Sequence, residues 1–98
     1  MDIEHNNIEN LFNKAVQHIT NNNDKASTIN DEIKINLYKY YKQATIGDCN
    51  LAQPSIFDFK NKIKWEAWNS IKGLSKNKAQ CLYIKLVESI DPSFNNAN

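Results

Sequence analysis

The sequence predicts an all-α fold built from four helices. Apolar residues recur every three or four positions in four separate stretches, which is the period of an amphipathic helix. The composition agrees, because the 98 residues include only two Gly and two Pro, with 41% hydrophobic and 23% charged residues. A chain of this size and profile can form one compact core without disulfides or metal. We therefore expect a single helical domain.

The first predicted helix lies in IENLFNKAVQHIT, residues 8–20. Its apolar stripe consists of Ile8, Leu11, Phe12, Ala15, Val16 and Ile19. The polar segment NNNDKASTIN, residues 21–30, is expected to end this helix. The second helix should begin near Asn30 or Asp31, either of which can act as its N-cap, and run to about Ile46. Gly47 then supplies the left-handed residue that follows a helix.

A connecting loop is predicted for DCNLAQPSIF, residues 48–57, because the segment has no helical period and Pro54 interrupts it. The third helix should extend from about Asp58 to Lys72, with Gly73 as its stop. Trp65 and Trp68 lie on this helix.

The fourth helix is predicted to follow Ser75, a plausible N-cap. Its apolar stripe consists of Ala79, Leu82, Tyr83, Leu86, Val87 and Ile90. Pro92 lies just beyond its end. We therefore expect the domain to occupy residues 1–92 and residues 93–98 to form a polar tail or the start of a linker.

The overall charge argues against nucleic acid as a partner. Twelve lysines, with no arginine, oppose eleven acidic residues, for a net charge of +1. This balance is too small for a protein that holds a polyanion along its surface. The basic character is local, since residues 60–78 carry six lysines and the single acid Glu66.

The cysteines and the hydropathy pattern predict a cytoplasmic protein. Cys49 and Cys81 lack metal-ligand spacing and are too few for a secreted disulfide framework, so we interpret them as reduced thiols. No apolar run approaches the roughly 18 residues of a membrane span. The start of the chain, MDIEHNNIEN, is acidic and polar, which is not the pattern of a signal peptide.

Aromatic and basic residues alternate on two of the predicted helices. Tyr38, Tyr41 and Lys42 share one face of the second helix, and Lys60 and Lys64 lie one turn apart on the third. Ammonium groups beside aromatic rings suit a phosphate with a planar ring attached. By spacing alone, however, tyrosines at helical intervals are more often core residues, and exposed lysines usually serve solubility. Both interpretations stay open at this point.

The sequence contains no recognisable catalytic constellation. His5 and His18 are isolated, and no Ser, His and acid set, Gly-rich phosphate loop or pair of carboxylates is evident. No neighbouring residue would activate Cys49 as a nucleophile. We therefore expect a binding protein without enzymatic activity, and without a metal or cofactor.

The order of the residues adds a specific resemblance. LYKYYKQATIGDCN, KNKIKWEAWNSIKGLSKNKA and CLYIKLVESI, within residues 37–90, closely resemble the acyl-coenzyme A-binding protein family, in the same order and at the family's separations. LFNKAV, residues 11–16, is a weaker match. The resemblance implies a four-helix bundle of the up-down-down-up type. It also implies that the ligand is a medium- or long-chain acyl-CoA thioester, held without reaction.

Residue by residue, the resemblance implies which side chains bind acyl-CoA. Tyr38 and Lys42 match the tyrosine and lysine that meet the 3′-phosphate of the ribose, and Lys64 matches the second phosphate lysine. Lys60 matches a further basic contact.

Two more tyrosines are assigned to the nucleotide by the same resemblance. Tyr41 matches the ring beside the adenine, and Tyr83 matches the tyrosine of the fourth helix that lines the nucleotide side of the site. An adenine ring needs an aromatic face and the adjacent phosphate needs ammonium groups, which explains the crowding of Tyr and Lys in YKYYK.

Several positions depart from the family pattern. Thr20 stands where many members have a lysine, and Lys34 replaces a usually apolar residue near the path of the acyl chain. The segment 21–30 is longer than the usual loop, and Ser55 and Asn61 replace glycines common in the family. We therefore expect the preferred acyl-chain length to differ from that of the family.

The expected function is intracellular transport and buffering of fatty acyl-CoA by a monomer that makes transient contact with membranes. The alternative is a helical protein-interaction module that has kept the fold and lost the ligand. A thioesterase would need a nucleophile or activated water that the sequence does not reveal. Members of the family also occur fused to other domains, so this chain can be one module of a longer protein.

Overall fold

The computed structural model describes residues 2–21 and 29–95. Its elements are α1 (Asp2–Asn21), α2 (Asp31–Thr45), α3 (Phe59–Asn69), α4 (Lys76–Ile90) and a short 3₁₀ helix (Pro92–Asn95). Across these two ranges the regular structure is entirely helical. The prediction of an all-α domain with four α-helices is confirmed.

The directions of the helices follow from contacts at the two ends of the bundle. Glu9 from the first half of α1, Thr45 from the end of α2 and Lys76 from the start of α4 line one cleft. At the opposite end, His18 near the end of α1 pairs with Asp91, which follows α4. α1 and α4 therefore run in the same direction, and α2 runs against both.

α2 and α3 are parallel to each other. Lys34 and Lys60, near their starts, line a common cleft. Near their ends, the indole of Trp68 donates a hydrogen bond to the carbonyl of Gly47. The bundle is therefore of the predicted up-down-down-up type.

The core lies where α4 packs between α1 and α2. Its buried side chains are Phe12, Ala15, Leu37, Ala44, Ala79, Tyr83, Ile84 and Val87. Most of them belong to the predicted apolar stripes of the first and fourth helices, because helical periodicity aligns these residues on one face. Full burial of each larger apolar side chain contributes about 1.5–3 kcal/mol to stability.

The predicted capping residues are present in the structure. Asn30, and not Asp31, caps α2, with its side-chain oxygen accepting a hydrogen bond from the Ile33 amide at 2.8 Å. Ser75 caps α4 in the same way, through the Lys78 amide at 3.1 Å. Gly47 has a φ of 103°, the left-handed conformation expected after α2.

α1 and α3 differ from their predicted lengths. α1 begins at Asp2, before the stripe that starts at Ile8, because periodicity marks only the part of a helix that packs. α3 ends at Asn69 and not at Lys72. The next residues bond three positions back, from the Ile71 amide to Trp68, so the chain tightens into turns before Gly73.

Two predictions concern residues at the edges of the described ranges. α1 ends at Asn21, the start of the segment expected to stop it, whereas residues 22–28 of that segment lie outside the described residues. The expected polar tail begins within the 3₁₀ helix, where Phe94 packs against the core and lies 5.2 Å from the His18 ring. Residues 96–98 also lie outside the described part, and the boundary at residue 92 stays a prediction.

Candidate ligand-binding site

Two tryptophans of α3 hold the loop that connects it to α2. The buried Trp68 donates its indole N–H to the Gly47 carbonyl, and Trp65 donates to the Leu51 carbonyl, both at 2.8 Å. These bonds join the backbone of the loop to the inner side of α3. Two hydrogen bonds from α3 therefore hold the connecting loop against this helix.

Asp48 ties this loop to the turn that follows α3. Its Oδ1 accepts hydrogen bonds from the Gly73 amide at 2.8 Å and from the Gln43 side chain at 2.9 Å. The hydrogen bond from Gly73, then that from Gln43 and the charge of Lys72, lower the pKa of the Asp48 carboxyl despite a smaller opposing effect of desolvation. Gln43, which is fully buried, also donates to the Leu74 carbonyl. The Asp48 carboxylate thus links the loop after α2 to the turn after α3.

Tyr38, Lys42 and Lys64 come together across α2 and α3, and we call them the aromatic-lysine cluster. Lys42 Nζ lies over the Tyr38 ring at 5.9 Å from its centroid, and Lys64 Nζ lies over the same ring at 5.6 Å. Lys42 Nζ is also 5.2 Å from the Trp68 ring. Two ammonium groups converge on one phenol ring, which is an arrangement suited to an anion such as phosphate.

The Tyr38 phenol stays protonated at neutral pH. Its burial, and to a lesser extent the nearby Cys49 thiol, raise the pKa of the Tyr38 hydroxyl. A protonated phenol can donate a hydrogen bond to an anion, which a phenolate cannot. The cluster therefore offers one O–H donor beside two ammonium donors.

Tyr41 and Tyr83 belong to a separate group of three rings, with Phe12 as the third member. The Phe12 and Tyr83 rings meet edge to face at 5.2 Å, and Tyr41 lies 6.2 Å from Phe12 and 6.4 Å from Tyr83. Tyr41 is the outer ring, with 40% of its surface exposed. The sequence assigned Phe12 only to the core, and no sequence signal links it to Tyr41.

Tyr83 lies in the core, as the apolar stripe of α4 indicated, with only 4% of its surface exposed. Burial, together with a smaller effect of Tyr41, raises the pKa of Tyr83 to about 12. The Tyr83 ring contacts the Tyr41 ring in a tilted arrangement. Its direct role at a nucleotide stays a prediction.

Lys60 lines a cleft between the starts of α2 and α3, together with Lys64 of the aromatic-lysine cluster. This first cleft has a volume of about 320 Å³ and is lined by Asp31, Lys34, Ile35, Lys60, Ile63 and Lys64. It contains Lys34, one of the departures from the family pattern. Sequence reasoning missed Ile35 and Ile63, although an isoleucine between Lys62 and Lys64 is an available signal.

A second cleft, of about 390 Å³, opens between α2, α3 and the connecting loop. Its lining is formed by Tyr38, Leu51, Ala52, Pro54, Asn61, Lys64 and Trp65. Lys64 lines both clefts, so this residue lies at the boundary between them. The sequence analysis interpreted residues 48–57 only as a connecting loop. It did not predict that Leu51, Ala52 and Pro54 line a cleft.

Two features are absent from residues 2–21 and 29–95, a metal-binding cluster and a membrane-spanning helix. No group of three or more His, Cys, Asp or Glu side chains in these ranges could hold a metal ion. None of the helices described there is long and apolar enough to cross a membrane.

The fold is an up-down-down-up four-helix bundle that carries the aromatic-lysine cluster on the surface shared by α2 and α3. A family model described as "Acyl CoA binding protein" matches residues 9–87, most of the chain. The chain belongs to the acyl-CoA-binding protein family. Family and fold together support acyl-CoA binding as its function.

Relatives and solved structures agree with this assignment. The chain is 49% identical over 87 residues to "Acyl-CoA-binding domain-containing protein 6 homolog" of Dictyostelium discoideum, covering 89% of this chain and 30% of the relative. It is 46% identical over 68 residues to human "Enoyl-CoA delta isomerase 2", covering 69% of this chain and 17% of the relative. The crystal structure of Oryza sativa Acyl-CoA-Binding Protein 2 superimposes with a TM-score of 0.78 at 32% identity, covering 93% of this chain and 98% of that one. The chain thus spans less than a third of the length of these two curated relatives.

Proposed function

We propose that this chain binds medium- and long-chain fatty acyl-CoA and serves as an intracellular carrier and buffer for it. The observation that carries the proposal is the convergence of Lys42 and Lys64 on the Tyr38 ring from two different helices. Surface lysines normally spread apart in solvent. Two of them beside a protonated phenol favour a phosphate ligand over a purely structural role.

In the proposed complex, the aromatic-lysine cluster binds the 3′-phosphate of the ribose. Lys42 and Lys64 supply positive charge and the Tyr38 hydroxyl supplies a hydrogen bond. Adenine lies against Tyr41, whose ring is partly exposed and is supported by Tyr83. A contact between stacked rings tolerates small shifts in position, and we assign to Tyr41 the role of orienting the adenine. The ammonium groups of Lys42 and Lys64 supply much of the affinity.

The acyl chain is proposed to occupy the first cleft. Ile35 and Ile63 give it two apolar walls, and the aliphatic stems of Lys34 and Lys60 extend these walls while their ammonium groups reach solvent. Lys60 can also meet a phosphate at the cleft edge, as the family resemblance implies. The exposed Thr20 directs its hydroxyl to the Val16 carbonyl within α1, so we assign no phosphate contact to it.

We propose a role without catalysis or a cofactor, in the cytoplasm and as a monomer. The position of His18 supports a role without catalysis, because His18 pairs with Asp91, packs on Phe94 and is not part of the aromatic-lysine cluster. The relative named as an isomerase does not argue for an enzyme here, since this chain covers only 17% of it. Because its curated relatives are longer, the chain is proposed to act as the acyl-CoA-binding module where it forms part of a larger protein.

Calorimetric titration with palmitoyl-CoA tests the proposal against the alternative of an interaction module without ligand. A carrier gives a saturable heat with one site per chain, which weakens as salt screens the phosphate contacts. Absence of binding heat at several temperatures would support the alternative. Several temperatures are needed because the enthalpy of apolar burial passes through zero near room temperature.

A further inference from the structure

The second cleft contains groups that the proposed acyl-CoA complex does not use. Its volume of about 390 Å³ is that of a small-molecule site, and such sites are concave and mostly apolar with a few polar groups. Leu51, Ala52 and Pro54 of the connecting loop line it with apolar surface, and Trp65 of α3 adds an indole ring. A matching ligand is therefore apolar over most of its surface.

The indole of Trp65 offers only carbon surface to a ligand. Its N–H already donates to the Leu51 carbonyl at 2.8 Å, which satisfies the one polar atom of the ring and holds the ring against the loop. The Leu51 side chain keeps 56% of its surface exposed. A planar group can pack on the indole and cover Leu51, and contacts between rings contribute affinity beyond the area that they bury. These features favour an aromatic ligand.

The boundary between the two clefts carries positive charge. Lys64 lines the second cleft beside Tyr38, and its Nζ lies 5.6 Å from the centroid of the Tyr38 ring. Among the described residues that line this cleft, none is acidic. The carboxylate of Asp58 is engaged at the start of α3, where it caps the helix. The charge therefore favours a ligand with an anionic group beside Lys64.

Asn61 makes this cleft a feature of this chain. It lines the second cleft at a position where glycine is common in the family. Its side chain is held in place, because Nδ2 donates a hydrogen bond to Asp58 at 2.8 Å. A glycine at this position would leave that part of the lining without a side chain. Asn61 thus helps to enclose a ligand on the α3 side.

We infer that the second cleft binds a small aromatic carboxylate, with its ring on Trp65 and its carboxylate at Lys64. The hydroxyl of Tyr38 is a further donor for the carboxylate. Lys64 and Tyr38 also belong to the aromatic-lysine cluster, so the carboxylate and the 3′-phosphate of acyl-CoA compete for the same two side chains. This competition rests on the proposed function, whereas the aromatic site itself does not.

Titration of the isotope-labelled, ligand-free protein with 2-naphthoate, followed by NMR, tests the site directly. The chain has two tryptophans, and the variant Trp65→Phe identifies which of the two indole N–H signals belongs to Trp65. We expect a saturable shift of the Trp65 signal that exceeds the shift of the buried Trp68.

Two further probes separate the contributions of the charge and the ring. The neutral 2-naphthalenemethanol keeps the ring and should bind roughly fivefold more weakly than the carboxylate at low salt, because it makes no ion pair. Decanoate keeps the carboxylate but has no ring, and it should shift the Trp65 signal less than 2-naphthoate does.

Variants test the two walls of the cleft. Leu51→Ala removes apolar lining and should weaken 2-naphthoate binding by roughly fivefold. Lys64→Gln removes the charge and should weaken it by about three- to fivefold at low salt. Ile46→Ala and Lys85→Gln, exposed residues of the same kinds outside the lining, are the matched controls and should bind like the wild type. Leu51→Ala should also keep the wild-type affinity for octanoyl-CoA, since Leu51 has no part in the proposed complex.

Competition with acyl-CoA completes the test. Octanoyl-CoA at about ten times its own Kd should raise the apparent Kd of 2-naphthoate by about tenfold. The inference is overturned if 2-naphthoate does not move the Trp65 signal, or if Leu51→Ala binds it like the wild type. It is also overturned if the neutral alcohol or decanoate binds as well as 2-naphthoate. Binding of both ligands without competition would refute the shared use of Lys64. A protein that binds 2-naphthoate but not octanoyl-CoA would instead refute the proposed function alone.

Discussion

Removal of the two cluster lysines is the most direct test of the proposed ligand site. Lys42→Ala and Lys64→Ala each delete one ammonium group that lies within 6 Å of the Tyr38 ring centroid, at 5.9 and 5.6 Å. A hydrogen bond to a charged group contributes about 1.5–3 kcal/mol, so each change should weaken acyl-CoA binding by roughly 10- to 150-fold.

The structure also predicts which of the two lysine substitutions costs more affinity for acyl-CoA. Lys42 is partly buried and lies over two rings, those of Tyr38 and Trp68, whereas Lys64 is exposed and lies over one. Cation-π interactions add about 0.5–1 kcal/mol at exposed sites and more where water is excluded, and these contacts hold Lys42 in place before the ligand arrives. Lys42→Ala should therefore cost more affinity than Lys64→Ala.

Isothermal calorimetry with dodecanoyl-CoA at low salt measures both effects. Lys85→Ala, an exposed lysine on α4, is the control and should bind like the wild type. If both lysines face one phosphate, the double variant will lose less or more than the sum of the single losses, which a double-mutant cycle quantifies. Wild-type affinity in both single variants at low salt would refute the phosphate site.

Three further predictions concern the hydroxyl group, the acyl chain and the loop. Tyr38→Phe keeps the ring and should weaken acyl-CoA binding by about 1.5–3 kcal/mol, but not binding of the 3′-dephospho ester; an equal loss for both ligands would contradict the assigned contact. Calorimetry from free CoA through C8, C12, C16 and C20 esters should gain about 0.8 kcal/mol per methylene until the first cleft is filled, and a flat series would mean that the chain stays in water. The pKa of Asp48 is lowered from 3.8 in the folded protein, so its contribution to stability is present above that value and is lost as pH falls through the folded pKa. Thermal unfolding should therefore find Asp48→Asn less stable than the wild type at pH 7, with a difference that shrinks as the pH is lowered below 3.8; a difference that does not depend on pH would show that the charge is not responsible.

The positions of the helices were accessible from the sequence because they depend on local interactions. The caps at Asn30 and Ser75 bond to amides only three residues away, and Gly47 needs only its own backbone freedom. Core residues such as Ala15 and Val87 were accessible for the same reason, since periodicity alone defines the face on which they lie.

The end of α3 and the structure after Pro92 were not accessible in this way. Helical periodicity continues past Asn69, but the chain bends there toward Gly73, whose amide bonds to Asp48 at a separation of 25 residues. Phe94 packs beside His18, and His18 bonds to Asp91 across 73 residues. Local sequence carries no trace of partners so distant along the chain.

Tertiary structure alone decides which tyrosines are buried in the core and which are exposed to a ligand. Tyr38, Tyr41 and Tyr83 all lie at helical spacing, and sequence pattern left open whether such rings are core or ligand surface. The packing of α1 and α4 buries Tyr83 to 4% exposure and leaves Tyr41 at 40%, while Tyr38 faces α3. The family resemblance identified Tyr38, Lys42 and Lys64 as site residues. Their side chains come together only because α2 packs against α3. A hydrogen bond from Trp68 to Gly47 stabilises that packing, because a buried indole N–H must find an acceptor and the chain just after α2 supplies it.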